Sequence, residues 1–500
     1  MKKTVLLTLI SASIAYCSTA QDVNIPDANF KTYLLSQSAI NTNGDTEIQV
    51  SEASTFTGTI DCEGQGISSL TGIEAFTALT ILICGNNPIN TLDISSNTAL
   101  TRLGCYYNGL TSLDVSNNTA LLRLDCSDNQ ITSLNVSNNT QLTRLYCSGN
   151  ALTQLDISSN TALERLECEN NQLTSLIVIN NTQMTELYCN GNSLTQLNVS
   201  SNIALVILGC SRNQLNALNI NSNTALVGLG CENNLLTSLD VSNNSALEHL
   251  ECGVNYLTVL NLSNNTALTY LDCYENDLST LDVSNNTALE TLRCRNNQLT
   301  ALNVSANTAL VNLHCLGNQL TTLDVSNNTV LAILTCHYNF LTALDVVNNT
   351  ALTILNCDNN QLNQLNVKNG NNVNITDFYA NNNPNLTCIQ VDNAAYSTSN
   401  WTNINGPANF NENCNYSTGI ENQYANIQVK AYPNPVSNIL TVEGNVTFKS
   451  FQMVNMLGQI IESNQVTNNK INVENINKGI YTLVLTSKEH SRTTVLIVVE

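Results

Sequence analysis

Fourteen cysteines recur at one fixed interval, from Cys84 through Cys105 and Cys126 to Cys357, and every gap is 21 residues. No other feature limits so strongly what this 500-residue chain can fold into. Self-similarity at such a period marks one supersecondary unit stacked on copies of itself. An asparagine follows each of these cysteines by three positions, from Asn87 to Asn360. A second asparagine stands ten residues further on, from Asn97 to Asn349. The unit Leu100–Ala120 reads Leu-x-x-Leu-x-Cys-x-x-Asn-x-Leu-x-x-Leu-Asp-Val-Ser-x-Asn-x-Ala. Leu103 and Cys105 alternate with Arg102, Gly104 and Tyr106, which predicts a short strand with Leu and Cys inward. Leu113 and Val115 repeat the alternation, so each coil is expected to have two extended faces. A unit this short leaves no room for a full helix on its back. No coil buries its apolar side alone, so neighbours must stack.

This pattern, over roughly residues 60–390, resembles the short bacterial leucine-rich repeat with a cysteine ladder found in some internalins. The fold class expected is a β-rich solenoid, a right-handed leucine-rich-repeat coil of about 16 turns with capped ends. A small antiparallel β-sandwich follows it. Inward asparagine amides are expected to bond backbone groups of their own and the next coil, because buried backbone needs partners. Their presence at every turn marks architecture rather than a ligand site. The thiols would project the same way from parallel strands about 4.8 Å apart, an orientation poor for disulfides. They are expected to be free and buried. No Cys-x-x-Cys pair and no inward histidine accompany them, so a metal is not expected. Cys62, 22 residues before Cys84, starts the ladder one coil earlier.

The termini read differently. Lys2 and Lys3, an apolar run from Val5 to Tyr16 and the small residues Ser18, Thr19 and Ala20 have the layout of a secretory signal peptide, residues 1–20, cut after Ala20. Cys17 raises the alternative of a lipoprotein, against which the bulky Tyr16 argues. Residues 21–59 form an expected N-terminal cap, with helix-start chemistry from Ile25 to Leu35. Within it, the stretch from Asn41 to Glu52 can be numbered as an EF-hand loop, with Asn41, Asn43, Asp45, Glu47 and Glu52 as candidate calcium ligands. Asn41 replaces the usual Asp and Thr46 the usual Gly; both weaken such a site, and a calcium-free turn is the alternative. The solenoid is assigned to residues 60–387, its last coil carrying a two-residue insertion. Residues 388–424 follow as C-terminal cap and linker. Cys388 and Cys414 fall outside the 21-residue period and are the disulfide candidates. Trp401 is expected to cover the end of the core.

From about residue 425 strand-like runs replace the Asn-Thr repeats. Tyr-Pro-Asn-Pro-Val-Ser-Asn at 432–438, Met-Leu-Gly-Gln at 456–459 and Lys-Gly-Ile-Tyr-Thr-Leu-Val-Leu at 478–485 resemble the type A sorting domain of the type IX secretion system. The resemblance implies recognition by that machinery, passage across the outer membrane and placement outside the cell or on its surface. No apolar segment of the mature chain is long enough to span a membrane.

The formal net charge of −21 disfavours nucleic acid, which needs a surplus of Lys and Arg. Cap, solenoid and tail use up the chain, so function must sit on the solenoid surface. Outward positions of the Leu-x-Cys strand carry Arg102, Arg123, Arg144 and Arg165 on successive coils. Nearby stand Tyr106, Tyr107, Asp125, Tyr146, Glu167 and Tyr188. Arg and Tyr are frequent binding anchors. A solvated face, its arginines paired with Asp125, Glu167 and Glu169, is the alternative. His249, His314 and His337 are spread over several strands and are not expected to meet at a metal. No nucleophile, base and acid set is evident, and a smooth coil offers no closed pocket for paired carboxylates. An enzyme is not expected. Recognition of an extracellular protein, in adhesion, leads; a glycan-binding module or a passive spacer are the alternatives.

Overall fold

A computed structural model describes residues 21–404, 406–414, 429–444, 446–455, 460–487 and 492–500. The expected signal peptide at 1–20, the linker at 415–424 and the Met-Leu-Gly-Gln stretch at 456–459 lie outside the described residues. The chain divides into two compact units, Met1–Asn413 and Cys414–Glu500.

In the first unit, each Leu-x-Cys segment contributes one three-residue strand, such as Arg102–Gly104, Arg123–Asp125 and Arg144–Tyr146. Fifteen such strands, with the four-residue Asp377–Ala380 and the two-residue Asn403–Ile404, join edge to edge in one seventeen-stranded parallel sheet. Register is residue for residue: Leu103 lies beside Leu124, and Leu124 beside Leu145. The central leucines and the cysteines are fully buried, while the flanking strand residues face out. The sheet starts at Thr59–Asp61, 22 residues before its partner Ile81–Ile83, so the ladder begins with Cys62. The two-residue insertion shows as the pairing of Ile354 with Asp377. That coil is not the last: Asn403–Ile404 adds a further parallel strand beside Tyr379 and Ala380.

Strands stop after the cysteine because the chain turns through a left-handed residue two positions later. Tyr107, Asp128, Gly149, Asn170 and Gly191 all have positive φ, and the rule holds at the equivalent position of every coil from Asn86 to Asn359. Asn, Asp and Gly suit that conformation; Val254, with φ of 51°, does not.

The second extended face is only partly formed. Ala343–Asp345, Gln364–Asn366, Cys388–Gln390 and Asn409–Asn411 make a four-stranded parallel sheet near the C-terminal end. Earlier Leu-Asp-Val segments make no such ladder among the described residues, apart from one bridge between Asn198 and Asn219. The acid or amide there turns the chain locally, Asp114 Oδ1 accepting from the Ser116 N–H at 2.9 Å, and it does so also at Asp345 and Asn366, where the ladder forms. Side chains take over the coil-to-coil bonding.

Two asparagine files do this. Asn213 Nδ2 donates to the carbonyls of Cys189, Cys210 and Ser211, and its Oδ1 accepts from Leu194 N–H at 3.0 Å. Asn223 Nδ2 donates to Val199 and Asn202 carbonyls. Partners lie in the asparagine's own coil and the one before it, not the one after. The Oδ1 atoms of the second file, from Asn97 to Asn349, are buried without a hydrogen bond.

Both ends of the stack are covered. Helix α1, Ala28–Ser36, is capped by Asp27, whose carboxylate accepts from Asn29 and Phe30 N–H, and it buries Phe30 and Leu34. Helix α2, Val50–Thr55, follows. At the far end, helix α3, Ala394–Asn400, leads into Trp401, which stacks on Phe378 at 4.2 Å and donates to the Ile375 carbonyl. The expected cap therefore continues both sheets by one more turn.

The second unit has its own core of Leu440, Val442, Phe451, Met453 and Leu483. Val429–Tyr432, Ile439–Gly444 and Lys470–Asn472 form a three-stranded antiparallel sheet. Phe448–Asn455, Ile460–Gln465, Gly479–Ser487 and Arg492–Val499 form a four-stranded one.

Candidate functional site: the outer face of the long sheet

Every strand shows two residues outward, one on each side of the ladder leucine. Strict register therefore sets Arg102 beside Arg123, Arg123 beside Arg144, and Arg144 beside Arg165. Like charges side by side repel, and the sheet relieves this at alternate arginines. The Arg123 guanidinium lies 4.6 Å over the Tyr146 ring, with Asp125 at 3.8 Å. Arg165 pairs with Glu167 at 2.5 Å and with Glu186, and lies 5.2 Å over the Tyr188 ring. Arg102 and Arg144 make no ion pair or ring contact among the described residues. Stripe and paired face are thus interleaved. Glu169 is not an arginine partner; it accepts from Asn190.

Local environment tunes the other expected residues. Burial pushes the Asp125 carboxyl above its ordinary range, against the Ser127 N–H and hydroxyl and the Arg123 charge. Tyr106 folds across Gly85, where a Cβ would stand 2.4 Å from its ring. Burial, then Glu63, pushes its phenol up to about 12. Tyr107 occupies the left-handed turn, leaves the sheet and is exposed, meeting Tyr106 edge-on at 6.3 Å.

The face is not smooth. Gly209, Gly228 and Gly230 occupy outward strand positions, and a depression of about 390 Å³ opens over them. Tyr188 and His249 line it, with Glu169, Glu232, Glu251 and Arg212. His249 stacks on Tyr270 at 4.2 Å, its Nε2 lying 3.1 Å from Glu251 Oε1. Burial, reinforced by Glu251 and Asp272, raises the Glu232 carboxyl above its ordinary range; Arg212 acts the other way. Glu251 and Asp272 are in register on adjacent strands, and Glu251 lines a depression that the repeat pattern does not suggest. The signal lay in the Gly-Leu-Gly at 228–230 following Leu-Gly at 208–209.

The remaining expected residues lie elsewhere. In the cap loop, Glu52 Oε1 accepts from Thr42 N–H and hydroxyl, and Oε2 from Gln49 N–H. Asn43 donates to Asp45 and Gln49, Asn41 accepts from Gly44 N–H, and Glu47 pairs with Lys31 at 2.6 Å. The candidate calcium ligands thus bond each other, Lys31 and loop backbone. No group of three or more His, Cys, Asp or Glu is placed to hold a metal among the described residues. Cysteines 62 to 357 of the ladder are free and buried, and Cys388 and Cys414 are disulfide-bonded. No helix among the described residues is long and apolar enough to cross a membrane.

Residues 430–500 match the family of secretion-system C-terminal sorting domains. A search of curated proteins gives no match. Among solved structures, the functional domain of InlJ from Listeria monocytogenes, which includes a cysteine ladder, is similar at 31% identity, over 96% of this chain and 98% of that one, with a TM-score of 0.69. A leucine-rich-repeat protein of Leptospira interrogans shares 23% identity over 72% and 93%, TM-score 0.58. An internalin of Listeria monocytogenes, InlF, shares 24% over 68% and 97%, TM-score 0.55.

Proposed function

The chain belongs to the cysteine-ladder leucine-rich-repeat proteins, and from that membership we propose that it binds an extracellular protein, in adhesion, through the outer face of its long sheet. Its sorting domain makes it a substrate of type IX secretion, delivered to the cell surface or beyond it. The observation that carries the binding reading is the contrast along each strand. Core positions repeat with little change, while outward positions gather Arg, Tyr and carboxylates over many coils. Arg102 and Arg144, without an ion pair or ring contact among the described residues, supply the charge a ligand would meet first.

The test uses the purified full chain against panels of matrix and cell-surface proteins and a glycan array, at two salt concentrations. An Arg102→Glu/Arg144→Glu variant runs beside it. Saturable protein binding that weakens with salt and is lost in the variant supports the reading. Binding confined to glycans, and insensitive to salt, replaces it with a sugar-binding module. Absence of saturable binding to either panel leaves a spacer.

A further inference from the structure

Each ion-paired arginine of the face lies over a tyrosine ring and beside a carboxylate. Arg123 and Arg165 do so, as above. Arg293 lies 5.5 Å over Tyr270 with Asp272 at 3.6 Å, and Arg295 lies 4.2 Å over Tyr274 with Glu275 at 3.9 Å. Between strands Glu186–Tyr188 and Tyr270–Asp272 the outward positions are Ile207, Gly209, Gly228, Gly230, His249 and Glu251, with no arginine among them. The acceptors persist there with no arginine on the strands themselves; the one guanidinium at the depression is that of Arg212, at a turn.

We propose that the glycine-floored depression is a subsite for one guanidinium group, an arginine side chain of the protein that lies along the sheet. The inference rests on the proposed function only for where that arginine comes from. Three carboxylates, Glu169, Glu232 and Glu251, face it against the single guanidinium of Arg212. Glu169 commits one oxygen to Asn190 and Glu251 one to His249, while the Glu232 carboxylate makes no hydrogen bond or ion pair among the described residues. A planar fork of five N–H donors suits several divergent carboxylates better than a point-charge ammonium does. A neutral sugar would leave the excess negative charge uncompensated. The aromatic wall is also in place. His249 is stacked on Tyr270 on one side, and in register its other neighbour is Gly228.

The floor is open as well as acidic. A Cβ built on Gly228 would come no closer than 3.8 Å to Ile207, and one on Gly230 would lie 3.7 Å from Glu251 Oε2 and 3.4 Å from Ser211 Oγ. Side chains are accommodated at the same strand position in other coils, Thr335 among them. Gly230→Thr therefore fills the depression without breaking the ladder.

The probe is Nα-acetyl-arginine methylamide, titrated into the full chain by saturation-transfer NMR, with the citrulline analogue as its uncharged near-isostere. The expected Kd is on the order of 1 mM, at least tenfold weaker for citrulline. Gly230→Thr and Glu232→Gln/Glu251→Gln should each weaken arginine binding at least tenfold with unchanged circular dichroism, and Arg102→Glu/Arg144→Glu should leave it intact. Equal binding of citrulline overturns the proposal, as does full binding by correctly folded Gly230→Thr. Displacement of the probe by a neutral oligosaccharide also overturns it, in favour of a sugar pocket. If the probe binds as described while the protein panel gives no partner, the subsite stands and the adhesive role falls; a partner found without probe binding gives the reverse.

Discussion

The two asparagine files look alike in sequence but should differ in what they hold up. Asn213 makes four hydrogen bonds, three donated and one accepted, whereas Asn223 makes two and leaves its Oδ1 unpartnered. In Asn213→Ala the buried Leu194 N–H loses its acceptor, a loss of about 1–3 kcal/mol. The two amide N–H groups of Asn213, shared among three carbonyls, add about 1 kcal/mol net each, which brings the total to roughly 3–5 kcal/mol. Asn223→Ala loses two such bonds, about 2 kcal/mol, but also removes an unsatisfied buried oxygen that costs about 1–3 kcal/mol, so its net effect lies within about 1 kcal/mol of zero. The two sites lie ten residues apart in one stretch of the stack, so context is matched. Urea unfolding followed by circular dichroism gives the ranking from midpoints at constant m. Stacked repeats can open locally, so native-state hydrogen exchange at the Leu194 amide supplies the second reading, with protection lost in Asn213→Ala and kept in Asn223→Ala. Equal destabilisation, or a larger loss at Asn223, would refute the argument that satisfied bonds rather than burial set the difference.

Two further outcomes follow from the same coils. Burial pushes the Cys147 and Cys210 thiols up to about 12, which leaves a thiolate fraction of only ~10⁻⁴ at pH 8. Mass spectrometry after iodoacetamide at that pH should find the ladder cysteines unmodified in the native chain and modified in urea. Labelling of several ladder thiols in the native chain would contradict the ladder's closure. Val254 holds a left-handed φ of 51° that a β-branched side chain disfavours, so Val254→Asn should stabilise the chain by about 1 kcal/mol, read as a raised urea midpoint. Asn233→Val, at the equivalent turn with φ of 54°, should lower it by a similar amount.

The fold was legible because the constraint repeats. One interval between cysteines set the strand spacing, the inward face and the number of coils to within about one. The insertion before Asp377 was visible as a failed register, though the extra strand at Asn403–Ile404 was not, since no Leu-x-Cys marks it. The Leu-Asp-Val stretch alternates in every coil, yet among the described residues it pairs as a ladder only from Ala343 on, and alternation alone does not set where that ladder forms. On the outer face of the long sheet the arginine stripe was readable, but its pairing was not. Whether Arg165 reaches Glu167, Glu186 or Glu169 depends on cross-strand distance rather than on order in the chain. The depression was hardest to read, because it consists of missing side chains. Gly209, Gly228 and Gly230 gain meaning only once two coils are laid edge to edge.

Equal coils in strict register have a genetic corollary. Duplicating or deleting 21 codons within the array would return the same core contacts at the junction, since each coil meets a neighbour like the one it lost. Caps and sorting tail would be untouched. What would change is the spacing between the arginine stripe and the acidic depression, in increments of one strand. Unequal recombination could therefore respace the charged features of the face with no mutation in any residue that forms them.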